Sequence, residues 1–357
     1  MSKYKLYVGT YTQELEDNRI TDSKGIYVFE LDADTGEMSP VSTTKSRNPT
    51  YLAFHGGFAY SSNEYLGQGC VSSYSVDPQD GSLYLQNSLV IPEGSSTCQI
   101  AISPCGNWLY AANYYSGNIA VCPIGQNGAL GPAATVYQHE GSSVIPSRQS
   151  EPHAHSVNPD PAGKYIVAAD LGADRLFIYR TDGRTGALLA NDRQAAIPVK
   201  PGEGPRHFAF HPNGKYAYLS TEIGDHVVVY DCDCQNGILA EKQMLSTLPQ
   251  GYDGENHTAH IAVSEDGRHV LVSNRGHNSI AVFTIDPQNG TLTLSDHADS
   301  HGHWPRHFCL GPDQSTLIVA NHLSDTVAVF AFDASAGKIG KLIWEEKIPS
   351  PAYVAWR

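Results

Sequence analysis

Pro205-Arg206-His207-Phe208-Ala209-Phe210-His211-Pro212-Asn213-Gly214-Lys215-Tyr216 returns, in looser spellings, about every 50 residues along the chain. Copies begin at Pro49, Thr97, Pro152, Pro205, His257 and Pro305, and a shortened one at Pro351 runs into the C-terminus. Self-similarity at this period marks one supersecondary unit stacked many times, because such a unit cannot bury its apolar face alone. Within the copy at Pro205, His207 to Phe210 alternates as a strand does, and Pro212-Asn213-Gly214 supplies a turn. Tyr216 to Ser220 and Val227 to Tyr230 are further β-branched and aromatic runs, and a more polar run follows Leu239. Val, Ile, Tyr and Phe fill the runs while Gly, Pro, Asn and Asp separate them, and helical periodicity is nearly absent.

Four antiparallel strands per unit of this length make a propeller blade. Lys5 to Thr12 reads as a second strand and Gly25 to Leu31 as a third, so the first blade lacks its innermost strand. Ala352 to Trp356 supplies it. The expectation is an all-β, seven-bladed β-propeller occupying residues 1–357 as one domain, closed where the C-terminal strand joins the N-terminal blade. Closure removes two exposed sheet edges and predicts a monomer.

No stretch approaches the length of a membrane-spanning helix, and Met1-Ser2-Lys3-Tyr4-Lys5 leads straight into a strand-like run. The expectation is a cytoplasmic protein with no membrane partner. A net charge of −14 argues against nucleic acid as the partner. The seven cysteines form no CxxC pair, which fits free thiols in a reducing compartment. Pro152-His153-Ala154-His155 and His301-Gly302-His303 lack a carboxylate companion, and no nucleotide or phosphate loop is present, so neither metal nor cofactor is expected.

Aligning the copies on the first turn shows which positions break the pattern. Arg206 and Glu222 are equidistant from Gly214, as are His155 and Leu171 from Gly163, Ala259 and Arg275 from Gly267, and Arg306 and His322 from Gln314. Residues equidistant from a hairpin turn are expected to face each other. The start of strand one and the end of strand two then share one rim of the central channel. Around that rim the first set reads Thr50, Cys98, His155, Arg206, Ala259, Arg306, Ala352, and the second Tyr11, Glu64, Tyr114, Leu171, Glu222, Arg275, His322. A structural repeat needs no charge there, so the convergence of Arg, His and Glu marks a site. Two or three arginines suit an anionic small molecule, since a guanidinium binds carboxylate or phosphate through two parallel hydrogen bonds. His153, two residues before His155, competes with it for the acid/base role. His207, His260 and His307 fall one place later and are expected to pack between blades. The Asp and Asn residues near the rim read as turn chemistry, and the Ser/Gly-rich insertion from Tyr137 to Ser150 as a surface loop.

Val8-Gly9-Thr10-Tyr11-Thr12, Pro152-His153-Ala154-His155-Ser156, Ala169-Asp170-Leu171-Gly172-Ala173-Asp174, Gly204-Pro205-Arg206-His207 and Ser273-Asn274-Arg275-Gly276-His277 together resemble the seven-bladed lactonase family over essentially the whole chain. That family includes propeller-type 6-phosphogluconolactonases and a fungal carboxy-cis,cis-muconate cyclising enzyme. The resemblance implies hydrolysis of a sugar lactone, foremost 6-phospho-D-glucono-1,5-lactone, with His155, Arg206, Glu222 and Arg275 as the catalytic set. His153, Arg306, His322, Glu64 and Tyr114 are expected to bind substrate around them. Two other functions remain open on sequence: a muconate-type lactonising enzyme and a non-catalytic interaction platform.

Overall fold

A computed structural model describes residues 3–15 and 20–357. Seven sheets each carry four antiparallel strands in meander order, one of them with its outermost strand split in two. The blade at Pro205 runs Pro205–Phe210, Tyr216–Thr221, His226–Asp233 and Ile238–Ser246. In the closing blade Pro351–Trp356 is innermost and pairs with Lys3–Thr10, aligning Leu6 with Trp356 and Val8 with Val354. Seven apolar clusters fill the molecule, and each is shared by two neighbouring blades. A twisted sheet thus buries both faces only by standing in a ring.

The registers correct the expected facing pairs. Phe210 pairs with Ala217, which centres the turn between Asn213 and Gly214, and the ladder slips by one more residue between Pro205 and His207. Glu222 therefore meets Gly204, whose carbonyl accepts its N–H at 2.8 Å, rather than Arg206. In the same way Arg275 pairs with His257 instead of Ala259, Leu171 bonds to His153 instead of His155, and His322 to Trp304 instead of Arg306. The cause is a β-bulge at the head of the inner strand, where an extra residue is extruded and re-aimed. Arg206 is that residue in its blade. The shared rim survives because the shift is the same in each of these copies.

A second correction follows from the bulge. His207, His260 and His307 do not merely pack between blades; they gather in the central channel beneath the rim. His207 and His260 approach through their Nδ1 atoms at 3.0 Å, and His260 stacks on His307 at 3.8 Å. Tyr51, from a distant blade, meets both His207 and His307 edge-on. Burial, then the Arg206 charge and the neighbouring imidazoles, hold His207 and His307 well below the ordinary histidine range; burial and Arg206 take His260 down to about 3. An unfolded histidine binds its proton near pH 6.5. Below that pH the unfolded chain carries protons that the folded channel refuses, so stability is complete above pH 6.5 and falls as pH drops toward 4. Each imidazole accounts for up to roughly 1.4 kcal/mol per pH unit. Melting at pH 5.5 is expected several degrees below that at pH 7.5, and His260→Phe should flatten the slope; a pH-independent melting point across that range would contradict the arrangement.

Candidate active site

The rim opens into a cavity of about 640 Å³ at one mouth of the channel. Six of the seven residues that end the second strands line it: Tyr11, Glu64, Tyr114, Glu222, Arg275 and His322. From the inner strands His155, His257 and Arg306 reach it.

Glu222 is the hub. Its Oε2 accepts from Arg206 Nε at 2.8 Å and from Arg275 Nη2 at 2.8 Å, and its Oε1 accepts from Arg148 Nη2 at 2.5 Å. His155 Nε2 stands 3.5 Å from Oε2. Three guanidiniums share one carboxylate, so this floor carries an excess of positive charge. Burial raises the carboxyl's affinity for a proton, but Arg275, His155 and Arg206 overcome it and hold Glu222 well below the usual carboxylate range. Burial and the adjacent Arg206 take His155 down to about 4, against the pull of Glu222. Burial and Arg275 lower Arg206 to about 9. Near neutrality the set is therefore an ionised carboxylate, a neutral imidazole and surrounding guanidiniums.

The opposite wall is built on Glu64. Tyr11 donates to its Oε2 at 2.6 Å and Thr50 at 2.9 Å. Arg306 donates to the Tyr11 hydroxyl at 2.7 Å and lies 3.7 Å from Glu64. His322 stacks on Tyr11 and meets Glu14 at 3.1 Å.

Two expected site residues sit elsewhere. Arg206 is 2% exposed, and it lies beneath Glu222 without lining the cavity. His153 does not line it either: its ring stacks on Tyr114 at 4.6 Å, and its Nδ1 is 3.0 Å from the Tyr114 carbonyl. Between the two histidines, the one facing the cavity is His155.

Arg148 was not anticipated. It lies in a single helical turn, Pro146–Gln149, within the insertion read as a surface loop. Gln149 is fully buried, and its amide donates to the Leu171 carbonyl at 2.9 Å, which pins the turn over the rim. Trp304 was missed too. It lines the cavity beside Arg275, whose guanidinium carbon is 5.5 Å from the centre of its ring. Among the described residues, no group of three or more His, Cys, Asp or Glu side chains is arranged to hold a metal ion, and no helix is long and apolar enough to cross a membrane.

The sequence model of the seven-bladed β-propeller lactonases matches residues 5–356. A 6-phosphogluconolactonase of Bacillus subtilis is 34% identical over 99% of this chain and 98% of its own. One from Formosa agariphila is 30% identical, over 94% and 95%. The solved structure of a periplasmic gluconolactonase from Pseudomonas aeruginosa superposes with a TM-score of 0.92 at 34% identity, covering 99% of both chains.

Proposed function

Because this chain belongs to the seven-bladed β-propeller lactonase family, we propose that it is a carboxylic-ester hydrolase that opens 6-phospho-D-glucono-1,5-lactone to 6-phosphogluconate. The observation that carries the reading is the set of three guanidiniums around the single buried carboxylate of Glu222 on a cavity floor. Lactone hydrolysis passes through a tetrahedral oxyanion, and preorganised positive donors stabilise charge that develops there.

In this reading the lactone carbonyl oxygen lies against Arg275 and Arg148. His155, lowered by burial and Arg206 so that it is neutral near pH 7, takes one proton from water as its oxygen bonds to the carbonyl carbon. The bond from that carbon to the ring oxygen then breaks, the ring oxygen is protonated, and the open acid leaves as its carboxylate with one net proton released. Both Glu222 oxygens are taken up by Arg148, Arg206 and Arg275, so its role is to hold the arginines. Arg206 positions Glu222 from below, and Arg306, His322, Glu64 and Tyr114 shape the remainder of the substrate's surroundings. The C-terminal strand closes the ring on the N-terminal blade, which supports a monomer. The cytoplasm suits a phosphorylated substrate, which does not cross membranes unaided.

The test is acid release from freshly prepared phosphogluconolactone, followed with a pH indicator. Release well above the spontaneous rate is expected. Release from muconolactones instead would move the substrate to the cyclising branch of the family, and none from either would sink the reading.

A further inference from the structure

The residue two places before the inner-strand rim position is Asn48, Ser96, His153, Gly204, His257, Trp304 and Ser350 in successive copies. Five of these adopt left-handed backbone: Asn48 at φ 44°, Ser96 at 58°, Gly204 at 65°, Trp304 at 68° and Ser350 at 45°. Glycine, asparagine and serine are what such a turn tolerates. A tryptophan there is a genuine outlier, and Trp304 also precedes Pro305, which favours extended backbone at the residue before it. The fold therefore asks for a small residue at this place and carries its largest side chain instead.

The backbone at Trp304 is held from both sides. Its N–H donates to Asn278 Oδ1 at 2.8 Å, and its carbonyl accepts the His322 N–H at 3.0 Å. Neither contact involves the indole. That ring instead forms a wall of the cavity, beside Arg275 and against His257 at 5.8 Å between ring centres. Strain held by its surroundings at a cavity wall is the pattern of a functional position.

We propose that Trp304 is a substrate-contacting residue that packs the ring of the lactone against its indole and so presents the carbonyl to Arg275. The substrate class this selects is a six-membered sugar lactone, whose C–H bonds make one apolar ring face while its hydroxyls point to the rim. The inference rests on the reading of the cavity as a lactone site.

Left-handed backbone gives an unusually clean test. Trp304→Gly removes the ring and relieves the backbone, matching Gly204 in its own blade; Trp304→Asn matches Asn48; Trp304→Tyr keeps an aromatic face. Melting of the glycine variant is expected at or above that of the parent protein, whereas a packing role would lower it. With phosphogluconolactone, the glycine and asparagine variants should show KM raised about tenfold with kcat changed much less, the size of one lost aromatic contact. Trp304→Tyr should stay within about threefold of the parent. Parent-like KM in both small variants, or loss of folding in both, overturns the inference while leaving the lactonase reading intact if the parent is active. An inactive parent protein removes both.

Discussion

Arg275→Ala is expected to lower kcat/KM for the lactone by about 10²- to 10³-fold, the usual cost of deleting one donor to a developing oxyanion. The guanidinium is fixed on three sides. Its Nη2 donates to Glu222 at 2.8 Å, its Nε donates to the His257 carbonyl at 3.1 Å, and the indole of Trp304 lies beside it. Such a group needs no rearrangement as charge appears on the substrate, and an alanine leaves water in its place. Arg275→Lys keeps the charge but loses the planar fork, so it should recover only part of the rate. The fold does not depend on the residue in the same way, because Glu222 retains Arg148 and Arg206. Steady-state kinetics beside a thermal melt separates the two effects: kinetics equal to the parent's in a folded Arg275→Ala protein would take Arg275 out of the mechanism.

The architecture was legible because each copy carries its own turn chemistry, with Gly106, Gly163, Gly214 and Gly267 all at positive φ between the first and second strands. The rim was legible for a related reason. Aligned copies need the same small or apolar residues, so Glu222, Arg275 and His322 stand out as departures that no packing requirement explains. What stayed hidden has physical causes. Strict alternation from the turn put Arg206 opposite Glu222, and a bulge, which leaves no mark in the residue pattern, re-aimed Arg206 beneath the site and turned His207, His260 and His307 toward the channel. Arg148 comes from an insertion with no counterpart in other copies, so alignment gives it no place. Trp304 escaped because an aromatic residue in a β-rich chain reads as core until its backbone conformation is known.

Glu222→Gln tests the hub directly, and it should damage stability and activity together. The substitution keeps the shape and removes the charge on which Arg148, Arg206 and Arg275 converge. Three guanidiniums would then repel across a buried floor, with Arg206 only 2% exposed and so cut off from water. Removing one partner of a buried ion pair costs about 3–5 kcal/mol. For a chain of 357 residues that corresponds to a melting point lower by roughly 4–7 °C. Turnover should fall at least about tenfold, because arginines that no longer share an anchor lose the geometry that made them useful. A generic defect and a broken hub differ in one respect. Adding Arg206→Met to Glu222→Gln removes one of the repelling charges and should restore part of the lost stability, whereas independent sites would simply add their losses. A double variant no more stable than the sum of its parts would mean that Glu222 does not hold these arginines together.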